Sequence, residues 1–298
     1  MATVVAGAPA ATLTGRRGVD IKSAAFAVVL WACLAISSLF LLFLLITIVT
    51  EGIARFDVNL FTAPPSTIRP ETAGVRPAIF GTIWVVGLTF VIALPLGIAA
   101  SVYLEEYADR TRWYNRMIEL NIQNLAAVPS IIFGILVLAF IVRSPGNIGA
   151  VVLAASIALA LLILPVIIIS GREALRAIPG EIRDGSLALG ATRWQTVSRQ
   201  LLPAAIPGIA TGSILAISRA IGEAAPLILV GATTFVTFDP TGPFSRYTVM
   251  PVQIFNFVLE SRESFIALAY AAILLLIIML LFMNGLAIFL RNRYQQRW

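Results

Sequence analysis

Two charged residues, Arg219 and Glu223, stand inside one of the long apolar runs of this 298-residue chain. An arginine near the centre of a bilayer costs at least about 2.5–3.5 kcal/mol on insertion scales, so such a residue indicates a function or a specific partner. A guanidinium offers forked donors that match the oxygens of a tetrahedral oxyanion, and a nearby carboxylate can hold it when no anion is present. The pair therefore predicts a helix interface or a translocation pathway, and the guanidinium would suit an oxyanion passing through it. The alternative is an ion pair that only fixes helix packing.

The element that must position this pair is a helix lined on one side by small residues. The spacing of four residues between Arg219 and Glu223 predicts that both share one helix face. Pro226 cannot donate a hydrogen bond to the Gly222 carbonyl, so we expect the helix to be weak between the two charges. Beside the charges, small residues recur every four positions and would let another helix approach closely. They are Gly208, Gly212, Ala216, Ala220 and Ala224.

The residues that the chain lacks exclude several kinds of chemistry. It has no histidine, one cysteine, Cys33, and one lysine, Lys22. Imidazole chemistry, a Cys/His metal cluster and an internal disulfide are therefore excluded. A phosphate-cradling loop needs Gly-Lys before Ser or Thr, whereas Ile21 precedes Lys22. Any nucleotide hydrolysis that drives this chain must take place on another polypeptide, and no cofactor is predicted in the chain itself.

Composition predicts an integral membrane protein. Hydrophobic residues make up 59% of the chain, charged residues 12%, and the mean hydropathy is +0.94, which is too apolar for a soluble core. The apolar runs are continuous and lack the alternating pattern of a barrel, which favours helices. Since about 20 helical residues cross the hydrocarbon layer, the sequence predicts an all-α polytopic protein with six transmembrane helices. They cover residues 24–50, 79–104, 120–142, 150–170, 206–234 and 266–290.

Arginine and lysine are distributed unevenly over the segments between these spans. Fourteen lie in one alternating set of segments, which includes both termini and residues 172–200, and six lie in the other set. The positive-inside rule then predicts that both termini lie on the cytoplasmic side of the plasma membrane. This bias accounts for the net charge of +6 and the pI of 10.1, so the basic balance indicates membrane lipids as partners and no nucleic acid.

The predicted organisation is a single membrane domain with short tails. A disordered tail is expected at 1–23, a transmembrane domain at 24–290 and a basic tail at 291–298. Two outward loops, 51–78 and 235–265, are long enough to shape a mouth or to receive a soluble partner. An apolar patch at 249–259 in the second loop is expected to lie in the membrane interface or to dip back into the membrane.

The polar stretch at 172–200 separates two membrane-length runs and predicts a helix–turn–helix. Pro179 is suited to begin the first helix, Asp184 is expected in its early turns near the positive dipole end, and Gly190 can adopt the left-handed conformation that ends it. Residues 191–201 would then return toward the bilayer. The alternative is an amphipathic loop held against lipid headgroups by its arginines. Glu105 and Glu106, on the same side, are expected to form a solvated face.

The spacing within this stretch resembles the signature loop of the permeases of bacterial ABC importers. That loop reads Glu-Ala-Ala-x3-Gly-x9-Ile-x-Leu-Pro. Here Asp184-Gly185-Ser186 precedes Gly190, and Gln200-Leu-Leu-Pro closes the pattern after nine residues. The flanking text, including Ile-Ser-Arg-Ala-Ile-Gly-Glu around Arg219, is similar to permeases of phosphate importers. The resemblance covers roughly residues 80–290.

This resemblance implies a transport subunit that performs no chemistry itself and docks on a separate ATPase, which would bind ATP and Mg²⁺. Apolar side chains of the helix–turn–helix would enter a groove on the ATPase, and its arginines would pair with an acidic rim. The implied partners are a second permease subunit, two cytoplasmic ATPase subunits, and an extracytoplasmic phosphate-binding protein docked on the outward loops. The implied coupling residues are Asp184, Gly185, Ser186, Leu187, Leu189, Gly190, Arg193 and Trp194.

Two other hypotheses stay open at this point. Within the same class, the substrate would be another oxyanion such as sulfate, molybdate or phosphonate, because selectivity would reside in the binding protein. From a different class, an ion-coupled secondary transporter would need no ATPase. Inverted repeats and unpaired acidic sites at the midplane would support that second hypothesis.

Overall fold

The computed structural model describes residues 21–109, 111–143, 148–232, 236–260 and 262–294, and within these ranges the chain is helical with no strand. Three π-helical turns, Tyr103–Tyr107, Leu138–Val142 and Val197–Leu201, directly follow α3, α5 and α8. The helices are α1 (Ile21–Ile53), α2 (Val58–Thr62), α3 (Arg76–Val102), α4 (Trp113–Ala126), α5 (Ser130–Val137), α6 (Val152–Arg176), α7 (Gly180–Ala188), α8 (Arg193–Thr196), α9 (Leu202–Ile221), α10 (Ala225–Val230), α11 (Met250–Leu259) and α12 (Glu263–Tyr294).

Long apolar helices confirm the predicted all-α membrane fold. Within the described ranges, five helices are long and apolar enough to cross a membrane, or six if the bent pair α4 and α5 counts as one span. The first, second, fourth and sixth predicted spans each correspond to one helix, namely α1, α3, α6 and α12. Residues 21–47 of α1 form one compact unit of the described chain, and the residues from Ile48 onward form another.

Two predicted spans are interrupted, and proline accounts for both interruptions. The third prediction, 120–142, falls on α4 and α5, which meet at 106°. Pro129 lacks an N–H and restricts the residue before it, so α4 ends at Ala126 and α5 begins after Pro129. The fifth prediction, 206–234, was wrong as one helix because α9 ends at Ile221 and α10 begins at Ala225, with Pro226 in its first turn. Residues 233–235 lie outside the described ranges.

The helix α6 occupies the centre of the larger unit and packs against α3 on one side and α9 on the other. Small residues allow both contacts. The Ser156 hydroxyl donates to the Val85 carbonyl at 3.1 Å, which ties α6 to α3. A Cβ added to Gly97 of α3 would lie 2.5 Å from Ile167, and one added to Gly208 of α9 would lie 2.6 Å from the Cβ of Ala174. The core is therefore built from close helix contacts of the kind that small residues permit.

At the end of α6 away from α7, the two long loops pack together around α11. The patch predicted at 249–259 forms α11, whose Met250 and Phe257 are buried in one cluster with Leu60 and Val75 of the first loop. The backbone N–H of Val152 donates to the Ser245 carbonyl at 3.0 Å, which fixes the second loop to the start of α6.

The predicted tails differ in part from the described chain. Residues 21–23 already belong to α1, and residues 291–294 belong to α12. The predictions for residues 1–20 and 295–298 lie outside the described residues.

Candidate coupling and transport sites

The predicted helix–turn–helix is present at 180–201. Pro179 is the cap residue before α7, and Gly190 has φ +84°, the left-handed conformation that ends the helix. The second helix begins with a capping box, in which Thr192 and Gln195 each accept a hydrogen bond from the other's backbone N–H, at 3.3 and 2.8 Å. The spacing Thr-x-x-Gln is a sequence signal for this start, and sequence reasoning missed it.

The outer surface of the helix–turn–helix exposes the apolar residues that the sequence singled out. Leu189 is 91% exposed and Trp194 is 66% exposed, while Leu187 is also exposed. An open groove of about 510 Å³ runs between the two helices, with Gly185 and Ser186 on its wall. Exposed apolar side chains grouped around an open groove mark interaction surfaces, so the groove and its rim are suited to receive a partner protein.

One hydrogen bond and two carboxylates define the polar side of the motif. The hydroxyls of Ser186 and Thr196 lie 2.9 Å apart and join α7 to α8. Asp184 is exposed and is the fifth residue of α7, whereas Glu181 is the acidic residue in the first turn. Asp184 thus lies in the second turn of α7, and the carboxylate nearest the positive end of the helix dipole belongs to Glu181.

One member of a buried acidic pair ties this motif to the bundle. Glu105 and Glu106 belong to the π-helical turn after α3, and their side chains are only 3% and 4% exposed. Glu106 accepts two hydrogen bonds from the guanidinium of Arg183 on α7, one of them 3.0 Å from Nε. The prediction of a solvated face was wrong here, because arginines of the facing segment compensate both charges.

Glu105 makes the corresponding contacts with α6. Its carboxylate accepts from Arg172 at 3.3 Å and from Arg176 at 2.8 Å. Arg172 also donates to Glu119 of α4 at 2.9 Å. A pair of acids at the end of a span, followed by a loop with several arginines, is the sequence signal that could have indicated this network.

The predicted transport residues lie on either side of the break after α9. Arg219 is near the end of α9 and exposed, and Glu223 is half-buried in the non-helical residues before α10. Within the described ranges neither has a side-chain hydrogen bond or an ion pair. Since the helix ends between them, the predicted shared helix face was wrong, whereas the predicted weak point before Pro226 is confirmed.

Contacts with α12 fix how far Arg219 lies along the bundle. Arg291 of α12 donates to the hydroxyl of Thr211 at 3.0 Å, and Ser218 hydrogen-bonds Asn284 of α12. Seven residues separate the two contacts on each helix, which corresponds to about 10 Å of rise. Arg219, eight residues beyond Thr211, lies about 12 Å along α9 from that level.

The small-residue stripe of α9 faces α6, as predicted. A Cβ added to Gly212 would lie 2.0 Å from Ser170 Oγ. Ala216 and Ala220 are buried in the core cluster that contains much of α6. Arg219 lies beside this buried stripe, on a part of α9 that the described chain does not cover.

A bundle of membrane-length helices that carries a helix–turn–helix at one end has the fold of an ABC importer permease. A subunit in the crystal structure of a bacterial alginate ABC transporter, in complex with an alginate pentasaccharide-bound periplasmic protein, superposes with a TM-score of 0.64. The match covers 91% of this chain and 96% of that chain, at 18% sequence identity.

Residues 93–296 match the family of binding-protein-dependent transport system inner membrane components, and the chain belongs to this family. The phosphate transport system permease protein PstA of Yersinia pestis is 35% identical over 252 residues, which cover 83% of this chain and 82% of that protein. The probable ABC transporter permease protein YqgI of Bacillus subtilis is 33% identical, with 75% of each chain covered. The predicted family is thus confirmed, and the chain is a multi-pass protein of the inner membrane.

Proposed function

We propose that this chain is a permease subunit of an ATP-driven importer of inorganic phosphate that works by alternating access. The observation that carries the proposal is the similarity to phosphate transport system permeases over most of the chain. An arginine without a partner among the described residues, placed inside a span, supports an oxyanion as the substrate.

The chain supplies the pathway, and a separate ATPase supplies the energy. The helix–turn–helix docks on this ATPase through its exposed Leu189 and Trp194, with Arg193 at the acidic rim. The distribution of arginine and lysine supports a cytoplasmic location of this end and of both termini. ATP and Mg²⁺ are bound by the ATPase, and this chain is a non-catalytic subunit.

Arg219 binds the anion as it passes. With Arg291 at the cytoplasmic edge of the membrane, the distance of about 12 Å along α9 supports a position of Arg219 near the midplane of a layer about 30 Å thick. The guanidinium then offers donors to phosphate oxygens from the exposed face of α9, where a second permease subunit closes the pathway. Glu223, just beyond the helix break, competes for the guanidinium and favours release of the anion.

Further subunits complete the importer. A similar permease pairs with this chain, two ATPase subunits bind at the cytoplasmic end, and an extracytoplasmic phosphate-binding protein docks on the loops that contain α2 and α11. ATP-driven closure of the ATPase dimer moves the two helix–turn–helix motifs together and opens the pathway outward.

The replacement Arg219→Gln tests the proposed pathway. Loss of hydrogen bonds to a charged group costs about 1.5–3 kcal/mol, so phosphate uptake should fall about 10- to 150-fold while assembly with the ATPase persists. The control is Arg293→Gln, which removes the same charge from an exposed position in the last turn of α12. Normal phosphate uptake by Arg219→Gln would remove this residue from the mechanism, and preferential uptake of sulfate, molybdate or phosphonate by the unaltered importer would change the substrate.

A further inference from the structure

The π-helical turn Tyr103–Tyr107 connects the end of α3 to two other elements through consecutive acidic residues. The carboxylate of Glu105 binds arginines of α6, whereas the carboxylate of Glu106 binds Arg183 of α7. Consecutive side chains on a helical turn point in different directions, which lets one turn reach two neighbours. π-helical turns are rare and occur frequently at functional sites.

Both helices of the helix–turn–helix are attached to this one turn. On α7, the Arg183 guanidinium donates two hydrogen bonds to Glu106. On α8, the Arg193 guanidinium lies 5.6 Å from the ring centroid of Tyr107, within the range of a cation–π contact. The element that we propose to contact the ATPase is thus fastened to two neighbouring residues at the end of a membrane span.

The contact between Glu106 and Arg183 is stiff because the carboxylate is desolvated. The side chain of Glu106 is 4% exposed, and among the described residues its ion-pair partner is Arg183. A buried carboxylate that loses such a partner is strongly unfavourable. A forked pair of hydrogen bonds also fixes the orientation of the two groups. Movement of α7 away from the bundle must therefore carry the end of α3 with it.

The apolar contacts of α7 would not by themselves fix the direction in which its movement reaches α3. Ile182 of α7, like Ile98 and Val102 of α3, is half-buried against an apolar cluster that contains Leu175 and Leu201. Contacts of this kind are non-directional and allow sliding, whereas the forked ion pair does not.

We propose that Glu106 and Arg183 form the joint through which movement of α7 reaches α3, so that both are positioning residues in the coupling of ATP hydrolysis to transport. This inference rests on the proposed function, because it assumes that an ATPase moves α7. It adds to that function the part of the chain that receives the movement, namely the π-helical turn Tyr103–Tyr107.

The test compares transport with hydrolysis in the complete importer, reconstituted in proteoliposomes with its partner permease, ATPase and binding protein. The variants are Glu106→Gln, Arg183→Gln and the double variant, which carries neither charge and so leaves none unpaired in the interior. We expect phosphate transported per ATP hydrolysed to fall about tenfold or more in all three, with the double variant no worse than either single one. Assembly with the ATPase and thermal stability of the double variant should match the unaltered protein.

A matched control is the exposed pair Asp109 and Arg112, which lies just beyond the same turn and has no hydrogen bond or ion pair with the described residues of α7. Hydrogen bonds from the side chain and the backbone of Thr111 hold the pKa of Asp109 below its usual range, so this pair is also charged at neutral pH. The variant Asp109→Asn with Arg112→Gln should retain the normal ratio of transport to hydrolysis.

A second measurement does not depend on removing the pair. Spin labels at Tyr103 and Glu181, both exposed, report the distance between the turn and α7 in a background with Cys33→Ser. We expect this distance to stay constant between the nucleotide-free and the ATP-bound importer. A separation on ATP binding, or normal coupling in the double variant, would overturn the joint. If the unaltered importer itself fails to link ATP hydrolysis to phosphate uptake, the proposed function fails instead.

Discussion

The replacement Gly212→Ala tests whether the close contact between α9 and α6 sets the position of the transport helix. A Cβ at residue 212 would lie 2.0 Å from Ser170 Oγ and 2.2 Å from Ser170 Cβ. The hydroxyl can rotate away, but the Cβ of Ser170 is fixed to α6. The two helices must therefore move apart.

The size of the effect follows from these distances. Ordinary contact begins at 3.4 Å, so the separation of 2.2 Å falls short by about 1.2 Å. Forcing one methyl group into a packed core typically costs about 1–3 kcal/mol. With a shift of about 2–4 °C for each kcal/mol in a large domain, we expect the melting temperature to fall by roughly 2–12 °C.

Size-exclusion chromatography of the purified chain after heating measures this loss. The matched control is Gly87→Ala in α3, where an added Cβ meets nothing within 4 Å. An alanine there gains about 0.5–1 kcal/mol of helix propensity, so the control should be at least as stable as the unaltered protein. The reasoning is refuted if Gly212→Ala melts at the same temperature as the unaltered chain, or if Gly87→Ala is the less stable of the two.

Three further predictions concern the helix–turn–helix. In Gly190→Ala the added methyl group has free space, but the alanine must adopt φ +84°, which costs about 1–2 kcal/mol. The backbone amides of α7 should therefore lose protection from hydrogen exchange, and equal protection would contradict the proposed role of this turn. The double replacement of Leu189 and Trp194 by serine should weaken binding to the ATPase about 30-fold or more, since an anchoring tryptophan is worth about 2 kcal/mol. Both side chains are largely exposed, so thermal stability should not change, and a loss of stability would show that they belong to the fold. Thr192→Ala removes the hydroxyl that accepts a hydrogen bond from the backbone N–H of Gln195, so hydrogen exchange of that N–H should become faster. Unchanged exchange would argue against the capping box.

Much of the fold was predictable from the sequence because its signals are local. Span length and hydropathy depend on consecutive residues, and four of six spans correspond to single helices. Pro179 and Gly190 act on the backbone next to them, which is why the helix–turn–helix was also predictable. The small-residue stripe was predictable because four-residue spacing fixes a helix face.

The failures arose where long-range contacts decide the outcome. A count of apolar residues does not distinguish one continuous helix from two helices in succession, such as α9 and α10. The sequence therefore predicts Arg219 and Glu223 on one helix, although the chain leaves the helix between them. Glu106 looked solvated because its partner Arg183 lies 77 residues away in the chain. Composition alone does not reveal such a pairing.

Accumulation of phosphate in proteoliposomes, with and without the ATPase, tests the central claim most directly. The chain and its partner permease are reconstituted together. The binding protein is added on the side of the loops that contain α2 and α11, and ATP is supplied on the side of the helix–turn–helix. We predict that phosphate is concentrated only when the ATPase and ATP are both present. Uptake against a gradient by the membrane subunits alone would contradict the account.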